Sequence, residues 1–230
     1  MPPDPRPPLL LTRPLPDSQR FAARMDGWPA VISPILRIVA VDHDPAPLHE
    51  APGLVFTSAH AVGAAGPGRG RPALCVGGRT AHAARAAGFA VTEGPGNAAG
   101  LGPLIAASPV PLIHPHGRHL AHPLPVPGIV VYDQQPLPLT RQARDLLAGG
   151  APVIVPVFSP RSARLLGQAV GADQAPHPPS APAPLWLVAI SPAAAAAWAG
   201  PAPARCLLAA QPTTAAMEAA ITQIMLAEQS

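Results

Sequence analysis

The chain has 230 residues, 48% of them apolar, and its 15 basic and 12 acidic side chains leave a net charge of +3. That is enough for one or two globular domains. The mild basic excess, without any basic block or aromatic stacking platform, gives no support to nucleic-acid binding and suits a polyanionic small molecule better. Every basic residue is Arg, which excludes a pyridoxal Schiff base, a phosphate-loop lysine and a lysine nucleophile.

Taken in chain order, short apolar runs predict strands at Leu9–Thr12, Ala30–Ser33, Gly53–Thr57, Ala73–Val76, Ala90–Thr92, Val110–His114, Ile129–Tyr132, Val153–Phe158, Leu185–Ile190 and Cys206–Ala209. Helical patterns begin near Asp17, Ser58, Thr80, Asn97, Thr140, Ser159, Pro192 and Thr213. The alternation argues against disorder, although 36 Pro and 20 Gly approach a disorder-prone composition. Short strands separated by helices call for open parallel sheets covered on both faces.

Leu74–Ile105 is the most informative stretch. An apolar strand ends at Gly77-Gly78, and Thr80 is expected to cap the helix that follows. Gly88 stands where a left-handed helix stop is needed, and Asn97 opens the next helix. Such a turn places N–H donors and a hydroxyl at the C-terminal edge of a parallel sheet, where these folds bind ligands. A faint repeat is visible as well. Phe56-Thr57-Ser58 resembles Phe158-Ser159-Pro160, and Val76–Ile105 resembles Ile190–Ile221. Two similar units imply two similar domains.

Cys75 and Cys206 both fall in apolar strand patterns and are expected to be buried free thiols of a reducing compartment. The start, Met-Pro-Pro-Asp-Pro, lacks the features of a secretory signal, and no apolar run reaches membrane-spanning length. A soluble, cytoplasmic protein is expected. The Pro-rich stretch Ala175–Pro184 reads as a mobile surface loop or a polyproline partner segment.

Several motifs follow one another along nearly the whole chain. A first strand ends in Thr12-Arg13-Pro14. Phe56-Thr57-Ser58-Ala59-His60-Ala61-Val62 follows, then Val76-Gly77-Gly78-Arg79-Thr80-Ala81. A lone Tyr ends Val130-Val131-Tyr132, and a later strand ends in Phe158-Ser159-Pro160. In order and spacing the set resembles the uroporphyrinogen-III synthase family. The resemblance implies a discontinuous domain of residues 1–38 and 136–230 and a second domain of residues 39–135, each with an open parallel sheet flanked by helices. A two-stranded linker would join them, with the ligand cleft between.

The resemblance also implies site residues. Tyr132, the only Tyr, is the catalytic candidate: a phenol is protonated at neutral pH and can donate to a departing hydroxyl. Its ring could equally pack as an ordinary strand residue. Thr80 with Gly77 and Gly78, the turns Thr57-Ser58 and Ser159, and Ser191 could contact substrate or merely cap helices. Arg13 could bind a carboxylate bidentately or lie on the surface. His114, His116, His119 and His122 cluster in a segment whose prolines and glycine suggest a loop. Their spacing fits no common zinc pattern, so no metal is expected. The family's Pro-x-Gly strand end matches Pro115-His116-Gly117-Arg118, which makes His116, Gly117 and Arg118 carboxylate contacts. Ser191-Pro192-Ala193-Ala194-Ala195 departs from the family, whose turn here carries more hydroxyls.

The implied reaction is cyclisation of hydroxymethylbilane, a linear tetrapyrrole with eight carboxylates, with inversion of the last ring and loss of water. It is largely conformational catalysis that needs no cofactor, by an enzyme expected to act as a monomer without membrane or nucleic-acid partners. The alternative, favoured by the altered Ser191–Ala195 turn, is an inactive hinged two-domain binding or regulatory protein.

Overall fold

Strand β1 (Leu9–Leu11) leads into α1 (Leu15–Arg24), β2 (Ala30–Ile32) and β3 (Leu36–Ala40) in the computed structural model, which describes residues 6–120, 123–173 and 182–226. Next come α2 (Ala46–Glu50), β4 (Gly53–Phe56), β5 (Pro72–Cys75), α3 (Gly78–Ala86), β6 (Ala90–Glu93), α4 (Gly102–Ala106), β7 (Leu112–Gly117) and β8 (Gly128–Pro136). The remainder is α5 (Arg141–Leu147), β9 (Val153–Val157), α6 (Pro160–Asp173), β10 (Leu185–Ala189), α7 (Pro192–Ala196), β11 (Arg205–Leu208) and α8 (Thr214–Leu226). His122 and residues 175–181 of the Pro-rich stretch lie outside the described residues.

Two elements lack a sequence signal. β3 reads as an extended connection because its exposure is mixed, and only its place beside β8 makes it a strand. α2 is a single turn after Pro45, too short for a 3.6-residue period to register. Two expectations are corrected. The helix expected at Ser58 is a 3-10 helix over Ala59–Ala65. The His-rich segment stays in a strand beyond the expected end at His114: Pro115–Gly117 also belong to β7. Pro115 is tolerated because β7 pairs with β4 at Leu112 and Ile113 and beyond them runs beside β8, so the missing N–H removes no β4 ladder bond.

The chain divides into two compact units, Met1–Arg37 with Pro136–Ser230, and Ile38–Gln135. The first contains a sheet of order β11-β10-β9-β1-β2, and every pairing in it is parallel. β9 and β10 are buried along their whole length, which is why they read as unbroken apolar runs. One face packs Leu10, Val155, Leu187 and Leu166 of α6; the other packs Leu9, Phe21, Trp186 and Ile221 of α8. At roughly 1.5–3 kcal/mol for each large apolar side chain fully buried, these two layers dominate the unit's stability. β9 meets β1 at Leu9 and Ile154, and Pro156, having no N–H, cannot carry that ladder further.

The second unit has the order β3-β8-β7-β4-β5-β6. β8, β7, β4, β5 and β6 are parallel neighbours. β3 runs against β8, since Val41 N–H donates to Val131 O at 3.0 Å while Leu137 N–H donates to Ile35 O at 2.8 Å. Phe56, Ala81, Phe89 and Tyr132 pack one face of the sheet, and Val55, Leu74, Leu101 and Leu112 the other. Gly88 ends α3 with φ +86°, the left-handed stop its position demands.

The two sheets share one plan. From a central strand the chain winds to one side (β4-β5-β6, β9-β10-β11), while the other side is filled by β7-β8 in one unit and by β1-β2, from the N-terminal end, in the other. Strand order therefore reverses between β4 and β7 and between β9 and β1. Crevices for ligands open beyond the strand ends at such reversals. Cys206 corrects one more expectation: it is exposed on the edge strand β11, whereas Cys75 is buried.

Candidate functional site

In the unit Ile38–Gln135, four adjacent parallel strands bring Thr57-Ser58, Gly77-Gly78, His116-Gly117-Arg118 and Tyr132 to their C-terminal side. Thr57 Oγ1 lies 2.9 Å from His114 Nε2, a side-chain link across the β4–β7 reversal. His114 is 2% exposed, and burial, helped by the neighbouring His116, holds its pKa down to about 4. The ring is therefore neutral near pH 7. Its centroid is 4.9 Å from that of His116. His116 Nδ1 is 2.8 Å from Gly117 O, which can only accept, so Nδ1 carries a proton. A neutral His116 then offers Nε2 as an acceptor, and the ring donates from Nε2 only when charged.

Tyr132 is 8% exposed and its ring is part of the core, with His60 edge-on at 5.9 Å between centroids. The ring lies directly over Gly117. A Cβ there would come within 2.5 Å of Cε2, 2.6 Å of Cζ and 2.9 Å of the hydroxyl oxygen. Glycine is demanded at 117 by the phenol above it, not by the backbone angle. Gly128 makes room for His116 in the same way, its Cβ position being 2.6 Å from Nε2.

Arg118 donates its backbone N–H to Tyr132 O at 2.9 Å, and its half-exposed guanidinium faces Asp133 at 3.4 Å. His119 approaches the same carboxylate at 3.5 Å. Thr80 departs from its expected cap role. α3 begins two residues earlier, with Gly77 as its extended N-cap, and Thr80 is buried inside the first turn. The cap falls to Gly77 because its extended backbone leads straight into the helix at Gly78. At the mouth of α3, Glu93 Oε1 lies 3.0 Å from where a Gly78 Cβ would be, and Arg85 holds the Glu93 carboxylate at 3.6 Å. The helix expected to open at Asn97 starts later: a 3-10 turn covers Ala99–Leu101 and α4 begins at Gly102, while Asn97 Oδ1 accepts from Gly100 N–H at 2.8 Å.

The corresponding strand ends of the other unit carry Arg13, Ser159 and Ser191. Arg13 lies over the Phe158 ring at 4.5 Å and faces Asp17 at 3.8 Å. Ser159 Oγ accepts from Ser162 N–H at 3.1 Å, and Ser191 Oγ accepts from Ala194 N–H at 3.2 Å. Both are helix caps, one of the two roles open to them from sequence. Ser58 also caps, accepting from His60 N–H at 3.3 Å.

Sequence reasoning left out His60, Gly128 and Asp133, and took His114 only as one of a cluster. His60 sat inside a quoted motif, but nothing local says that it meets Tyr132, 72 positions away in β8. Among the described residues, no group of three or more His, Cys, Asp or Glu is arranged to hold a metal ion, and no helix is long and apolar enough to cross a membrane. Two open cavities lie at the other ends of the strands. One of about 710 Å³ is lined by Arg6, Trp28 and Glu218, and one of about 390 Å³ by Ile105, Leu112 and Val126.

The family model for uroporphyrinogen-III synthase HemD matches residues 19–219. Among solved structures, the chain resembles uroporphyrinogen-III synthetase from Helicobacter pylori at 14% identity, covering 97% of this chain and 99% of the other, with a TM-score of 0.59. It also resembles a mutant uroporphyrinogen III synthase from the extremely thermophilic bacterium Thermus thermophilus at 15% identity, with coverage of 97% and 99% and a TM-score of 0.50. At these identities the structures speak for the fold. No curated protein matches the chain.

Proposed function

The chain belongs to the uroporphyrinogen-III synthase family, and on that premise we propose that it binds hydroxymethylbilane at its parallel-strand ends while Tyr132 helps the terminal hydroxyl to leave. It is a cyclising lyase of tetrapyrrole biosynthesis, and its product is uroporphyrinogen III plus water. Loss of the hydroxyl gives an electrophilic azafulvene. The last pyrrole attacks through its substituted carbon, the spiro intermediate fragments, and the ring closes inverted. The unassisted reaction closes without inversion, so the protein's main task is to hold the chain curled.

The observation that carries this reading is the seating of Tyr132 on Gly117 beside the Thr57–His114 link. It puts a phenol, a hydroxyl and two imidazoles at one strand edge, next to the β4–β7 reversal. The phenol donates to the departing hydroxyl, which leaves as water. Thr57, Ser58, Gly77, Gly78, His116 and Arg118, with Arg13, Ser159 and Ser191 of the other unit, meet the carboxylates. Many N–H and O–H donors suit eight carboxylates spread over four rings. In this reading the chain works as a cytoplasmic monomer.

The test is the isomer ratio formed from fresh hydroxymethylbilane by the purified protein. Mainly type III product is expected. Type I alone from folded protein supports the second reading, an inactive binding or regulatory protein, which the Ser191–Ala195 turn favours because it carries a single hydroxyl.

A further inference from the structure

We propose that His114 is a positioning residue that turns the Thr57 hydroxyl into a hydrogen-bond donor for a substrate carboxylate; the proposal rests on the substrate site placed above at the strand ends of Ile38–Gln135. A Thr after a strand usually has two uses for its hydroxyl: bonding its own backbone or capping the next helix. Ser58, the next residue, takes the cap. Thr57 instead reaches 2.9 Å across the β4–β7 reversal to a buried imidazole.

The direction of that bond decides what Thr57 can do. A neutral imidazole has one donor nitrogen and one acceptor. If His114 Nε2 accepts, the Thr57 proton is consumed, and the hydroxyl shows only lone pairs to the crevice. Those repel a carboxylate. If Nε2–H donates, Thr57 Oγ1 accepts and its own proton is left to point outward. A hydroxyl that already accepts is also the stronger donor. Protonation at Nε2 is the intrinsically preferred form of neutral histidine, and a polyanionic substrate selects the same form. Burial and His116 keep the ring neutral near pH 7, so the arrangement does not reverse under ordinary conditions.

An apolar residue at 114 would pack the same strand face and leave Thr57 unheld. His114 makes no substrate contact in this scheme and acts through Thr57. The relation is therefore one of dependence: removing the imidazole should matter only while the hydroxyl is present.

The experiment uses the full chain and fresh hydroxymethylbilane, with His114→Leu, His114→Gln, Thr57→Val and the double variant His114→Leu/Thr57→Val. Thr57→Val should raise KM roughly 10-fold or more while changing kcat little, the pattern of a lost uniform binding contact. His114→Leu should do nearly the same, and the double variant should be no worse than Thr57→Val. His114→Gln, whose amide can donate from near the Nε2 position, should restore most of the affinity; it also stands in if His114→Leu does not fold. Nitrogen NMR of the unmutated protein at pH 7 should find His114 protonated at Nε2. A wild-type KM in folded His114→Leu, with Thr57→Val impaired, overturns the dependence and leaves the substrate site standing. A wild-type KM in Thr57→Val overturns both. A His114 protonated at Nδ1 alone overturns the proposal whatever the kinetics show.

Discussion

The two units of this chain are built to one strand plan, yet their strand ends differ in what the side chains there are free to do. In the unit of β1, β9 and β10, the hydroxyl oxygens of Ser159 and Ser191 accept backbone N–H groups in helix caps, and Arg13 rests between Phe158 and Asp17. In the unit of β4, β7 and β8, side chains are tied to one another instead: Thr57 to His114, His114 to His116 by ring contact, and Tyr132 to His60 and Gly117. The same topology supplies the same place twice. In one of them polar groups are buried together and meet one another rather than only the backbone. In the proposed reading bond making falls to one unit and holding to the other, a contrast that mutation can break.

The largest effect is expected at Tyr132. Tyr132→Phe keeps the ring and removes one hydroxyl, so turnover should fall about 10–1000-fold, the range for lost acid–base and oxyanion donors. Product affinity should change far less. Wild-type turnover in the folded variant would reduce Tyr132 to a packed strand residue and erase the asymmetry between the units. Gly117→Ala tests the same group from below. The new methyl must displace the phenol, so turnover should drop at least about 10-fold, with overpacking costing about 1–3 kcal/mol of stability. A melting curve separates the two effects, and unchanged turnover would mean that the ring's exact seat is irrelevant.

A smaller effect concerns pH. The His114 ring titrates near 6.5 when unfolded and near 4 in the folded protein. Across that window the unfolded chain binds a proton that the folded chain refuses. Stability therefore falls as pH drops from about 6.5 to about 4 and levels below it, by at most about 3 kcal/mol for this residue. The groups nearest the ring are His116 and the Thr57 hydroxyl. Unfolding curves of the unmutated protein and His114→Leu between pH 7.5 and 4 isolate the term. A difference between them that does not vary with pH would show that the ring is solvated.

The smallest effect is expected in the other unit. Ser191→Ala removes a cap worth about 1 kcal/mol, which should lower the melting temperature by a few degrees or less and leave kcat nearly unchanged. A large fall in kcat would instead place Ser191 among the groups that act on the reacting centre, and the division of labour between the units would have to be redrawn.

The amino-acid order alone determined much of this. Val153–Val157 and Leu185–Ala189 are legible as buried parallel strands because both of their faces are covered and every position is apolar. Gly88 and Thr213 mark helix ends through local backbone chemistry, a left-handed φ in one case and a side-chain acceptor for a free N–H group in the other. The motif order pointed to the family, and with it to Tyr132, Thr57 and the Pro115–Arg118 segment. What stayed hidden depends on partners distant in sequence. β3 is a strand only because β8 lies beside it. His116 looks like a loop residue until β8 runs beside it. Thr80 loses its expected cap because Gly77 can take the extended N-cap conformation three residues earlier. The Thr57–His114 bond and the seating of Tyr132 on Gly117 span 57 and 15 positions. Local propensity is set by neighbours along the chain, but a buried hydrogen bond or a missing Cβ acquires its meaning from whatever the fold places against it.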